Sequence, residues 1–294
     1  MLRYVEEKLQ FPKEAIQALE APTAALLTSP VYRPRLFLAM EQMLERQDLE
    51  YRTHLQAIAD ESGISFYTME LIFLLLCTLP LRYRYAEQGI SEEIYWNTFA
   101  DLKYKLVECK DLHGIWGTFV GHWYPRFFRM ELFALGRLQY ECKPFPLDSY
   151  KDLLVKDELV CKCHIPSSGP LLAEDVVDSL KQAYDFFKDF RKDGILPVIC
   201  NSWLFYPPTS ALFKKGSNME TFYRMFEVIH TKEQEDNADF WRIFSLPFSE
   251  ENLRHAPEDS SLRRNIKQFL LEGNKLGNGL GILLFDGERI LTWH

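Results

Sequence analysis

Apolar positions along the first hundred residues recur at the three-and-four spacing of amphipathic helices. Ala24–Arg46 carries Leu26, Leu27, Leu36, Phe37, Met40 and Leu44 in this way, interrupted at Pro30 and Pro34. Leu49–Asp60 and Phe66–Leu79 follow, separated by Glu61-Ser-Gly-Ile-Ser. Ser91–Lys110 opens on a capping serine with two glutamates in its first turn, a start that suits the positive end of a helix. These segments predict a small helical bundle.

Beyond about Lys110 the period shortens to two. Leu132–Cys142 alternates as a strand and puts Arg137, Gln139 and Glu141 on one face. Leu159, Cys161, Cys163 and Ile165 alternate in a second strand, Glu158–Ile165, which Pro166 to Pro170 break. Leu172, Val176, Leu180, Ala183, Tyr184 and Phe187 then return to helical spacing and predict a helix over Pro170–Phe190. Pro170 suits its first position, with Gly169, Ser168 or Ser167 near the N-cap. Leu196–Tyr206 is a third strand, with Ile199, Asn201 and Trp203 on one face, ended by Pro207-Pro208 before Thr209-Ser210 opens a helix. Phe226–Thr231 is a fourth strand, Phe240–Phe244 a short extended piece, and Asp259–Gly273 a capped helix. The chain closes in a hairpin, Gly279–Phe285 with Glu288–Trp293, turned at Asp286-Gly287. Gly277-Asn-Gly-Leu-Gly281 reads as a turn and bulge leading into it. The fold class is α+β or mixed α/β: a helical domain over residues 1–125, then a mixed sheet flanked by helices over residues 126–294.

Composition narrows the function classes. The 294 residues are 47% hydrophobic and 14% aromatic, enough for a large core. The formal net charge of −8 is spread over both halves, so neither nucleic acid nor an anionic membrane is an expected partner. The apolar run Leu71–Leu76 is too short to span a bilayer, and the residues after Met1 lack a signal peptide's apolar stretch. Cytoplasmic residence is the expectation. Cys77, Cys109, Cys142, Cys161, Cys163 and Cys200 lie mostly within apolar patterns and read as reduced and buried.

The strand, small-residue loop and helix of Leu159–Leu180 form the most informative stretch. Such a turn exposes backbone N–H groups toward whatever lies above the strand end, which is how α/β proteins hold phosphates; many such turns also bind nothing. Cys161-x-Cys163-His164 does not make a metal site, because the two cysteines face one side of a strand, the histidine faces the other, and no second ligand pair follows. Ala59–Ser65 has helix-turn-helix spacing, but Phe66–Cys77 has no Lys or Arg with which to read DNA. His113, Trp116, His122, Trp123 and Tyr124 make an aromatic loop that either lines a cleft or joins domains.

The segments Leu132–Glu141, His164-Ile-Pro-Ser-Ser-Gly-Pro-Leu171, Trp241-Arg-Ile-Phe244 and Asp259–Arg264 leading to Gly273–Gly281 together resemble a bacterial family of acyltransferases. Its members join a helical N-acyltransferase N-terminal domain to a C-terminal domain similar to the GNAT superfamily of acyl-CoA-dependent N-acyltransferases. The resemblance implies two central strands that splay apart, with acyl-CoA in the gap and its pyrophosphate on backbone amides at the next helix. Ile165, Ser167, Ser168, Gly169 and Leu171 are the implied cofactor-binding positions. The loop departs from the usual Arg/Gln-x-x-Gly-x-Gly/Ala signature: it has one glycine, places a proline at the helix start and is followed by Glu174 and Asp175. Acyl transfer needs a base for the amine proton and an acid for the leaving thiolate. Glu141 is a candidate base or else an Arg137-paired or surface carboxylate. His164 titrates in the right range or else is structural, and Tyr206 stands where these enzymes often keep an acid or else packs in the core. Arg137, Asn201 and Trp203 are candidates for binding the acceptor, a small-molecule or peptide amine. A GNAT-like scaffold that binds a small molecule or protein without turnover is the alternative. Neither the acceptor nor the oligomeric state is legible in the sequence.

Overall fold

The computed structural model describes residues 2–44 and 50–294, so the predicted helix ends at Arg46 and Leu49 lie outside the described residues. The chain divides into two compact units, Met1–Ala134 and Leu135–His294.

The first unit is helical: α1 (Leu2–Lys8), α2 (Lys13–Thr28), α3 (Tyr32–Leu44), α4 (Glu50–Ser62), α5 (Phe66–Glu87), α6 (Glu92–Phe99), α7 (Asp101–His113) and α8 (Pro125–Phe128). Pro30 separates α2 from α3 as expected, whereas Pro34 is accommodated in the first turn of α3, where no N–H is missed. Ser91 caps α6 by accepting the Ile94 N–H, and Ala100 divides the predicted Ser91–Lys110 helix in two. Helix α5 is the axis of the unit, with every residue from Met69 to Thr78 buried. By length and composition α5 could cross a membrane, but its apolar window is 67% buried inside the protein. The aromatic loop after α7 packs onto this axis. The Thr118 N–H reaches the Tyr67 carbonyl at 3.0 Å, and Gly117 lies so close to the backbone of Tyr67 that a side chain there would collide with it. Glu70, wholly buried, is held by Arg52 at 2.7 Å and by the amide of Gly121; burial still raises its carboxyl pKa above the ordinary value.

The remaining strands and helices in chain order are β1 (Leu132–Leu135), β2 (Leu138–Pro144), β3 (Ser149–Tyr150), β4 (Leu154–Val155), β5 (Leu159–His164), α9 (Ala173–Phe186), β6 (Leu196–Ser202), α10 (Pro207–Ser210), α11 (Asn218–Arg224), β7 (Glu227–Glu233), α12 (Phe240–Phe244), α13 (Glu250–His255), α14 (Ser261–Leu271) and β8 (Gly277–Phe285). The six-stranded sheet has the order β1-β2-β5-β6-β8-β7. Strands β2 and β5 pair antiparallel, β5 and β6 parallel, and β8 antiparallel to both β6 and β7, a mixed sheet. One face is covered by α9 through Val176, Leu180 and Ala183. Ser179 pins that helix by accepting the Leu138 N–H at 3.1 Å and meeting the Tyr140 hydroxyl at 2.9 Å. The other face carries the cluster Phe145, Tyr150, Leu154, Val160, Ile199, Leu280 and Ile282.

Several expectations are corrected. Leu132–Cys142 is not one strand: Gly136, at φ 67°, turns the chain between β1 and β2, so Arg137 leaves the face that Gln139 and Glu141 share. Helix α9 begins at Ala173 rather than Pro170, with Leu172 at the N-cap and no side-chain cap, because Arg137 occupies the carbonyls of the preceding loop. The third strand ends at Ser202, whose hydroxyl accepts the Leu204 N–H and starts a 3-10 turn over Trp203–Phe205. The short helix α10 then opens on Pro207-Pro208 themselves. Phe240–Phe244 is helical, with the two phenylalanine rings 4.5 Å apart at i,i+4 spacing. After β8, Asp286 folds a tight turn by accepting the amides of Glu288 and Arg289, and the second hairpin arm is reduced to an isolated bridge at Ile290, with the Leu291 N–H reaching the Leu284 carbonyl at 2.8 Å. Gly277, Gly279 and Gly281 belong to β8 and make room for neighbours: a side chain at Gly279 would collide with the Phe205 carbonyl, and one at Gly277 with the Tyr206 ring.

Candidate active site

The β5–β6 ladder is short. Cys161 pairs with Val198 and Lys162 with Ile199, and among the described residues no further pair joins the two strands. Beyond that point β5 continues through Cys163 and His164, and β6 through Cys200, Asn201 and Ser202, unpaired across a seam that opens toward the loop after β5. Each strand keeps its outer partner: β2 stays registered with β5 as far as His164, and β8 with β6 as far as Ser202.

The two faces of this seam differ. Cys163 and Cys200 point to the α9 face, and their thiols are hydrogen-bonded; that bond, then burial, push the Cys163 thiol far above its ordinary value. On the other face stand Glu141, Lys162, His164 and Asn201, since Glu141 registers with Lys162, Lys162 with Ile199, and alternation carries the face two residues on to His164 and Asn201. The cysteine pair and His164 therefore diverge as the alternation implied. Among the described residues no group of three or more His, Cys, Asp or Glu stands where it could hold a metal ion.

Glu141 has no exposed surface. Its Oε1 lies 2.9 Å from His164 Nε2 and its Oε2 3.2 Å from Lys143 Nζ, so each carboxylate oxygen has a cationic or N–H partner. A carboxylate only accepts, so Nε2 of His164 carries the proton shared with Glu141. Glu141 and His164 are separate candidates in the sequence, and the antiparallel register makes them one unit. Lys143 was missed, although its place two residues after Glu141 on the same strand face was a legible signal.

Arg137 is turned the other way. Its guanidinium donates to three carbonyls of the loop after β5: Pro170 at 2.9 Å, Pro166 at 3.0 Å and Gly169 at 2.6 Å. The predicted loop positions Ile165, Ser167, Ser168, Gly169 and Leu171 thus sit on a segment clamped from β2's turn, at the open end of the seam. Glu174 and Asp175 follow on the exposed first turn of α9.

Tyr206 and Trp203 stand apart from the Glu141–His164 pair. The Tyr206 ring lies over Gly277 of β8, and its hydroxyl reaches Glu233 of β7 at 3.5 Å. That places it two strand spacings (about 10 Å) and about three residues (about 10 Å) from His164. Burial, then the carboxylate of Glu233, raise its phenol above the ordinary value. Trp203 is buried in the 3-10 turn with its ring edge-on to Phe213 at 6.2 Å, so it does not share the strand face of Asn201 as expected. Asn201 is exposed, on the His164 face across the seam.

Both parts of the chain match known domain families. Residues 132–283 match the model of the GNAT-like C-terminal domain, and residues 2–130 that of the N-acyltransferase N-terminal domain. Among solved structures, an acyltransferase in complex with decanoyl-CoA and teicoplanin is 20% identical with a TM-score of 0.74, over 95% of this chain and 86% of the other. An acyltransferase in complex with decanoyl-CoA is 22% identical with a TM-score of 0.73 over the same shares. A mutant acyltransferase in complex with octanoyl-CoA is 21% identical, also with a TM-score of 0.73 and the same coverage. At this identity the likeness is one of fold. No curated protein matches the sequence. The domain matches span both units, and the chain belongs to the family that joins an N-acyltransferase N-terminal domain to a GNAT-like C-terminal domain.

Proposed function

We propose that this protein is an acyl-CoA-dependent N-acyltransferase, carrying an acyl group to the amine of a small-molecule or peptide-like acceptor. The observation that carries the reading is a histidine backed by a buried carboxylate at the open end of an unpaired strand seam. A thioester lying in that seam has His164 beside it and the amide-bearing loop at its nucleotide end. Acyl-CoA complexes of structures sharing this fold support the same cofactor. The teicoplanin complex supports an acceptor of glycopeptide size as one candidate class.

In this mechanism His164 Nδ1 takes the proton from the acceptor amine as its nitrogen attacks the thioester carbonyl. Glu141 holds the imidazole in the required tautomer and faces the imidazolium that forms. Collapse breaks the carbon–sulfur bond, and the departing thiolate takes the proton back from His164, so charge balances over the cycle. Asn201 is placed to contact the acceptor. Tyr206, held by Glu233, is left outside the proton path. The reduced, buried thiols favour a cytoplasmic setting.

Thermal-shift titration with acetyl-CoA and longer acyl-CoAs tests the cofactor, since a ligand at 100 times its Kd stabilises by about 2.7 kcal/mol. Absence of a shift with every thioester refutes it. A shift without acyl transfer to any amine panel, including glycopeptides, favours the non-catalytic scaffold instead.

A further inference from the structure

One side chain holds the whole loop that would meet the cofactor. The guanidinium of Arg137 donates through Nε, Nη1 and Nη2 to the carbonyls of Pro170, Pro166 and Gly169. In a trans peptide the carbonyl and the following N–H point in opposite directions. Fixing the Pro166 and Pro170 carbonyls toward the guanidinium therefore turns the amides of Ser167 and Leu171 away from it. The third carbonyl precedes Pro170, which has no amide, so its capture costs the loop no donor. Gly169 sits at φ 127°, a backbone state that side-chain-bearing residues avoid. The clamp is itself anchored: Gly136, immediately before Arg137, packs within 3.2 Å of the Ser179 backbone for an added Cβ, and Ser179 ties β2 to α9.

The missing glycine signature acquires a physical reading from this. In a glycine-rich loop, backbone freedom lets the amides converge on a phosphate. Here a guanidinium imposes the loop's shape from behind. We infer that Arg137 is a positioning residue for acyl-CoA, which by clamping the Pro166, Gly169 and Pro170 carbonyls presents the Ser167 and Leu171 amides to the pyrophosphate. This inference rests on the acyl-CoA reading above. It assigns Arg137 to cofactor geometry and not to the acceptor.

The test compares CoA with an acyl-pantetheine lacking the pyrophosphate and nucleotide. Arg137→Lys keeps the charge but not the planar three-way donor set. Calorimetric titration of Arg137→Lys and Arg137→Gln is expected to show CoA affinity lowered about 10- to 100-fold, the range found when an orienting partner is removed. Acyl-pantetheine affinity, acceptor KM and turnover at saturating acyl-CoA are expected to stay within about twofold of wild type on that same footing. Equal losses on CoA and acyl-pantetheine, or wild-type CoA affinity in Arg137→Lys, overturn the inference. In the wild-type protein, CoA should shift the amide resonances of Ser167 and Leu171, and acyl-pantetheine should not. Unmoved amides overturn it independently of any variant's folding. If wild type binds no CoA, the acyl-CoA reading fails first, a result distinct from intact binding that ignores Arg137.

Discussion

A carboxylate cut off from water needs a partner at each oxygen, and Glu141 finds them in His164 and Lys143 on its own sheet face. If His164 is the base, His164→Gln should lower turnover by about 10²- to 10⁴-fold while leaving the acyl-CoA thermal shift intact. Glu141→Gln should cost about tenfold or more through the imidazole's orientation. Steady-state kinetics beside the shift assay check both, and unchanged rates remove the pair from the mechanism. Tyr206→Phe is expected to leave turnover within about threefold, because the hydroxyl is directed to Glu233. The phenol is raised above its ordinary value in the folded protein, so an activity loss centred below the ordinary tyrosine range belongs to another group. A large defect in Tyr206→Phe would restore it as the acid. Period-two alternation made the Glu141 face readable from the sequence. It misplaced Arg137 because a glycine turn inside an apolar run leaves the alternation looking continuous.

Elements were legible where a cap or a long period marked them and lost where a few residues reverse direction. Ser91 and α6 were visible as a serine with an acidic turn, and α14 as a capped amphipathic run. The 3-10 turn after β6 was not, since Trp203-Leu204-Phe205 carries the same apolar signature as a strand end. What makes that turn possible lies about 75 residues away in sequence, in the glycines of β8. Gly279→Ala is expected to destabilise by about 3 kcal/mol, because its Cβ would strike backbone that cannot swing aside. Gly281→Ala, which would meet the Phe226 side chain at 3.1 Å, should cost nearer about 1 kcal/mol. Urea denaturation measures both, and equal effects would mean that the close approach of the turn to β8 is not what sets the cost.

Across the whole molecule the six cysteines are free, and burial is the main cause that raises the thiols of Cys109 and Cys142 to about 12. Raised folded-state values give a contribution to stability that is complete below the ordinary thiol value of 9 and is lost as pH climbs toward 12. Between those limits the unfolded chain has already released protons that the native chain keeps. The urea midpoint should therefore fall from pH 8 to pH 10.5, and a rise would contradict the burial of these groups. At pH 8, thiol reagents should reach the five buried cysteines only as the protein opens, whereas the half-buried Cys142 is open to slower direct modification. The division into a helical and a mixed-sheet part was readable at this scale, because a change in hydrophobic period persists over many residues and local turns do not erase it. The short β5–β6 ladder has one more consequence. Long ladders bind β2 to β5 and β6 to β8, whereas two residue pairs join these halves. Pulled apart across its strands, the sheet should part first along that line. The fault line of the protein runs beneath His164, and a molecule lodged there would act as a rivet.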